Sequence, residues 1–125
     1  IENVMLPMYI NKNIDKKERK EKAMELLRKF GLENRINHYP KELSGGEQQR
    51  IAIARALANN PTFILADEPT GNLDVKNEKI VYETLKSLAS SGKAVIVVSH
   101  NENIKEYADK ILYMESGELR DEIWK

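Results

Sequence analysis

The sequence predicts an α/β fold, and two observations carry that reading. Two short apolar runs, Thr62–Ala66 and Ala94–Ser99, are too short for helices and suit buried strands. Helical patterns stand before and between them, and strands alternating with helices beyond residue 60 predict a parallel sheet.

The elements follow in chain order. Residues 1–10 are apolar and interrupted by Pro7, and they read as a stretch entered after something upstream rather than as the start of a domain. Asn11–Ile14 is turn-like, after which Asp15 and Glu18 make a capping-box pattern. Ala23, Leu26, Leu27 and Phe30 then repeat at helical spacing, so residues 15–30 predict an amphipathic helix. Gly31 is a natural left-handed stop with Leu32 as its hydrophobic follower. Ser44 and Glu47 repeat the capping relation before a second helix, in which Ile51, Ala54, Leu57 and Ala58 carry the period and Asn59-Asn60-Pro61 ends it.

Beyond the first strand, Pro69 and Gly71 make a loop. Asp74 can cap a helix from Val75 to about Ser90, with Ile80, Val81, Thr84, Leu85 and Leu88 inward. Ser91-Gly92 turns the chain into the second strand. A short helix around Asn103–Ala108 leads to a third strand, Ile111–Met114, and Ser116-Gly117 turns it into a hairpin arm over Glu118–Trp124.

Composition narrows the function classes. The chain has 125 residues, no cysteine and two histidines, which excludes a disulfide scaffold or cysteine-ligated metal and leaves little room for a histidine zinc site. Its longest apolar runs, Phe63–Ala66 and Ala94–Val98, fall far short of the roughly 20 residues a membrane span needs. No signal-peptide pattern is present, so a cytoplasmic setting is expected. Twenty basic residues balance twenty acidic ones. With no dense basic patch, no nucleic-acid partner is expected. The basic stretch Lys16–Lys22 alternates in sign and reads as a solvated helix face, with a partner surface as the alternative.

Three places can carry chemistry. Ser44-Gly45-Gly46 opens a helix, whose first N–H groups are unpaired and carry partial positive charge. The two glycines admit close approach of an anion such as phosphate, although for these three residues alone a capped helix with a flexible lead-in is the more ordinary reading. Phe63–Ala66 ends in Asp67-Glu68, at the kind of strand end where α/β sheets gather ligands. Asp67 suits Mg²⁺ and Glu68 could deprotonate a water, or the two acids could simply begin a loop. Ser99-His100 follows the second strand, where a histidine can contact phosphate or be merely structural. His38 has no such context. Gly92-Lys93 is not the end of a phosphate-binding P-loop, because that pattern fails at Ser87 and at Ala94.

The order of these pieces is far more specific than any one of them. Leu43-Ser44-Gly45-Gly46-Glu47-Gln48-Gln49-Arg50 resembles the signature motif of ABC ATPases. Asp67-Glu68-Pro69-Thr70 resembles their Walker B motif with its catalytic glutamate. Gly71-Asn72-Leu73-Asp74 resembles the D-loop, and Ser99-His100 the H-loop. These motifs, with Asn3–Pro7, are similar to the lipoprotein-release and macrolide- or peptide-export branch.

The resemblance implies a partial P-loop NTPase fold. Residues 1–60 would form a helical subdomain with the signature helix, and 61–125 the C-terminal part of a RecA-like core with parallel strands. It implies ATP and Mg²⁺, with Asp67 holding the metal mostly through water, Glu68 as general base and His100 on the γ-phosphate. Ser44, Gly45, Gly46 and Glu47 would form the signature site for ATP held by the second subunit of a head-to-tail dimer, with Asp74 at the same interface. The partners implied are that subunit and a transmembrane permease, which places the protein on the inner face of the cell membrane. Glu47 stands where the family more often has Gln.

The 125 residues contain neither a Walker A motif nor a Gln loop, so the resemblance is to the C-terminal half of the domain. On that ground the chain by itself is expected to be inactive, poorly soluble or self-associating. The competing readings are a non-transport soluble ABC ATPase and a non-catalytic binding module that keeps the fold. Intact Asp67, Glu68 and His100 argue against the module.

Overall fold

The computed structural model describes residues 1–124, with side chains through Arg120. The described residues form four α-helices and four strands, joined by short 3₁₀ turns. The first half is helical: α1 (Glu2–Met5) runs into a 3₁₀ turn at Pro7, followed by α2 (Lys16–Lys29) and α3 (Gly45–Ala56). The second half alternates: β1 (Phe63–Asp67), α4 (Val75–Ser90), β2 (Ala94–Val98), a 3₁₀ turn at Glu102–Glu106, then β3 (Lys110–Glu115) and β4 (Glu118–Trp124).

The helix ends form where the side chains can close them. At α2, the Asp15 carboxylate accepts from the Glu18 N–H at 2.8 Å, but Glu18 does not reach back; its carboxylate pairs instead with Lys22 at 2.9 Å. The helix stops at Gly31, whose φ of +69° allows the Leu32 N–H to reach the Leu27 carbonyl at 2.8 Å. Leu32 is buried behind that turn, as its place in the motif demands. At α3, Ser44 and Glu47 form the full reciprocal capping box.

A single hydrophobic core links the halves. It runs from Val4 and Met8 through Leu27 to Ile53 on α3, then to Ile64 on β1 and Val81 on α4. Each such side chain contributes about 1.5–3 kcal/mol on burial. Tyr82 is also buried, and neither it nor Ile53 lies on the apolar stripe read from the sequence. Ile51, Ile80 and Thr84, which do, are half-buried.

β1 and β2 pair in parallel, from Phe63 opposite Ala94 to Asp67 opposite Val98, with α4 as the crossover. One expectation is corrected here. The strands are not buried on both faces: Ile64, Ala66, Val95 and Val97 face the core, while Leu65 is 71% and Val98 58% exposed on the other side. A run apolar on both faces predicts cover on both, and the described residues supply it on one only. The third strand forms the expected hairpin: β3 pairs antiparallel with β4, in a sheet separate from that of β1 and β2. Its two-residue turn has positive φ at Ser116 (50°) and Gly117 (80°), the type I′ geometry that suits a tight hairpin. The short helix before it is the 3₁₀ turn at Glu102–Glu106.

Candidate functional site

The candidate residues fall into two clusters joined by the loop 68–74. The first lies at the carboxyl ends of β1 and β2. Asp67 is the last residue of β1 and is exposed. Glu68 follows with φ +45°, an unusual conformation for a non-glycine residue that costs on the order of 1 kcal/mol. It is held there because its N–H still donates to the Val98 carbonyl at 2.8 Å, extending the sheet ladder by one bond. The turn sends the Glu68 side chain across to the end of β2. Its Oε1 accepts from the His100 N–H at 3.0 Å, and its Oε2 lies 3.5 Å from the Ser99 hydroxyl. The imidazole Nε2 of His100 stands 3.7 Å from Glu68 Oε1, with the ring fully open to solvent.

Behind Glu68 the loop is fixed from below. Pro69 and Thr70 are buried, and the Thr70 hydroxyl shares a 2.9 Å hydrogen bond with the buried Tyr82 hydroxyl on α4. The Gly71 N–H donates to the Glu68 carbonyl at 3.1 Å, and Asn72 takes a second positive φ of 63°.

The second cluster lies at the first turns of α3 and α4. Ser44 Oγ accepts from the Glu47 N–H at 3.2 Å, and Glu47 Oε2 accepts from the Ser44 N–H at 2.9 Å. Glu47 Oε1 also accepts from Arg35 Nε at 3.1 Å. The Ser44 N–H first, then the Arg35 guanidinium, hold the Glu47 carboxyl below its ordinary value. Asp74 caps α4, its Oδ1 accepting from the Asn77 N–H at 2.8 Å and from Asn77 Nδ2 at 2.9 Å. Gly46 is buried directly against Asn77, and a Cβ on Gly45 would lie 3.3 Å from Leu73 Cδ2. The glycines thus let α3 pack on α4, a role within the chain that the motif alone does not reveal.

Three residues at the first cluster escape the sequence pattern. Glu78, one turn along α4 from Asp74, accepts from Asn101 Nδ2 and Asn103 Nδ2, both at 2.7 Å. No periodicity or spacing marks such a pairing across some 25 residues. Among the described residues, no three or more His, Cys, Asp or Glu side chains gather as a ready metal cage. The carboxylates at the end of β1 are oxygen donors at an open site, which fits a hard cation that keeps waters and shares a substrate's phosphates.

Comparison with known proteins shows the family. The sequence model of the ABC transporter family matches residues 2–71. The chain is 51% identical over 119 residues to an uncharacterised ABC transporter ATP-binding protein of Methanocaldococcus jannaschii, covering 95% of this chain and 53% of that protein. It is 48% identical over 120 residues to the lipoprotein-releasing system ATP-binding protein LolD of Francisella tularensis, covering 95% and 52%. Among solved structures, a dimeric ATP-binding cassette in a post-hydrolysis state, bound to ADP and Pi, superposes with a TM-score of 0.83. That cassette is 44% identical, and the match covers 98% of this chain and 55% of that one. The chain spans about half the length of the curated relatives it matches. No helix among the described residues is long and apolar enough to cross a membrane.

Proposed function

The chain belongs to the ABC transporter ATP-binding family, and on that premise we propose that it supplies the hydrolytic and signature-motif parts of an ATPase that powers a membrane transporter of the export or lipoprotein-release type. The observation that carries this reading is the turn at Glu68, which brings a carboxylate from the end of β1 onto the His100 N–H at the end of β2.

Each residue then has a task at a stated atom. Glu68 takes the proton of the attacking water on its carboxylate, which the His100 N–H and the Ser99 hydroxyl orient. His100 presents its exposed imidazole to the terminal phosphate. Asp67 would hold Mg²⁺, which when bound would supply charge neutralisation for phosphoryl transfer. Ser44, Gly45 and Gly46 bind the terminal phosphate of ATP held by a second copy, Ser44 through its hydroxyl and the two glycines through the unpaired N–H groups and partial positive charge of the α3 N-terminus. Glu47 keeps the Ser44 cap closed, and Asp74 sits beside it at the same interface.

This assigns two partners: a second ATPase subunit in a head-to-tail dimer, and a transmembrane permease that holds the protein on the cytoplasmic face of the membrane. Residues 1–125 contain no Walker A motif, and by themselves they are expected to turn over no ATP.

Phosphate release from ATP by the protein as its gene encodes it tests the reading. Glu68→Gln is expected to lower turnover by about 100-fold or more while ATP still binds. Turnover unchanged by Glu68→Gln contradicts it.

A further inference from the structure

His100 has little of its own to hold it. Its imidazole is fully exposed, and it follows directly on β2 at the start of a segment whose 3₁₀ turn, Glu102–Glu106, buries no side chain. Its position relative to Glu68 therefore depends on its neighbours in the chain. Asn101 is the pivotal one. Its N–H donates to Ser99 Oγ at 3.0 Å, and its Oδ1 accepts from the Asn103 N–H at 2.9 Å. Its carbonyl accepts from the Ile104 N–H at 3.3 Å, and its Nδ2 donates to Glu78 Oε2 at 2.7 Å. The other oxygen of Glu78 accepts from Asn103 Nδ2, also at 2.7 Å. One carboxylate on a rigid helix thus takes hold of the chain one and three residues beyond His100. Charge-assisted bonds of this kind are about twice as strong as neutral ones.

We infer that Glu78 is a positioning residue for His100: by clamping Asn101 and Asn103 to the first turns of α4, it sets where the imidazole stands against Glu68. The helix that carries Glu78 is capped by Asp74, so the clamp ties His100 to the same helix end that closes on Gly46. The catalytic consequence rests on the role proposed for His100; the positioning itself does not.

The chemistry of the clamp prescribes its test. Glu78→Gln turns one acceptor into an NH₂ group that faces an asparagine NH₂, so one of the two bonds is lost. Adding Asn101→Asp reverses donor and acceptor at that bond and restores it, whereas Asn101→Asp alone sets carboxylate against carboxylate. In the protein as its gene encodes it, Glu78→Gln is expected to lower kcat for ATP about tenfold with KM unchanged, and the double variant to recover most of the loss. In a His100→Ala background, Glu78→Gln should add nothing. Independently of turnover, amide exchange at His100 should quicken severalfold in Glu78→Ala, because its N–H bond to Glu68 loses its support. Circular dichroism should show α4 intact in each variant. If exchange at His100 is unchanged in Glu78→Ala, the positioning role is overturned whatever the turnover shows. If exchange quickens but the wild-type protein hydrolyses no ATP, the clamp stands and the proposed function falls.

Discussion

A methyl group at Gly46 would sit 2.2 Å from Asn77 Oδ1, 2.5 Å from its Cγ and 3.0 Å from its Cβ. The amide could swing aside, but it would forfeit the 2.9 Å bond from Asn77 Nδ2 to Asp74, worth about 1 kcal/mol. The Cβ cannot swing, so α3 and α4 must also part by a few tenths of an ångström, at a cost of about 1–3 kcal/mol. Alanine's better helix propensity returns about 0.5–1 kcal/mol. Gly46→Ala should therefore destabilise the protein by about 2 kcal/mol, a shift of about 30-fold in the unfolding constant. Urea denaturation of a double-mutant cycle reads this directly. With Asn77→Gly already in place the obstacle is gone, Cβ included, and Gly46→Ala should become neutral or slightly stabilising. Equal losses in both backgrounds would refute the close approach of the two helix ends as the reason for glycine here.

Other consequences are open to measurement. Tyr82→Phe leaves the buried Thr70 hydroxyl without its partner and should cost about 1–3 kcal/mol in chemical denaturation; adding Thr70→Val should recover most of it. Glu47 has a depressed folded-state pKa, so its extra stability is present above its ordinary value of 4.5 and is lost as pH falls through the lower folded value. The stability gap between wild type and Glu47→Gln should accordingly be full at neutral pH and shrink progressively below that value. Residues 1–125 prepared alone should self-associate through the open face that carries Leu65 and Val98, and light scattering from a monodisperse monomer at high concentration would count against this.

Local signals in the sequence were faithful guides where the physics is local. Asp74 before Val75, Ser44 with Glu47, Gly31 before Leu32 and Ser116-Gly117 each act within a few residues, and each closes the helix or turn it foretells. Burial was less legible, because it depends on what covers a face. Phe63–Ala66 and Ala94–Val98 are apolar on both sides, yet the described residues cover one side of β1 and β2. The motifs place Glu68 and His100 each at a strand end, but reveal neither that the two strands are neighbours nor the left-handed turn that joins the residues. Nor could they show that Gly46 serves the packing of α3 on α4, or that Glu78 reaches Asn101 and Asn103. Those are side-chain meetings between elements distant in sequence, and no spacing encodes them.

The proposed function divides one site between two copies, with Glu68 from one and Ser44–Gly46 from the other. Mixing two inactive variants tests that division most directly. Ser44→Arg spoils the α3 terminus and keeps Glu68, while Glu68→Gln does the reverse. In a divided site, a mixed dimer regains one centre with both parts intact, so phosphate release from ATP should rise well above that of either variant alone. If the equimolar mixture forms dimers and is no more active than the mean of its components, the two clusters do not complete each other across an interface, and the central claim is wrong.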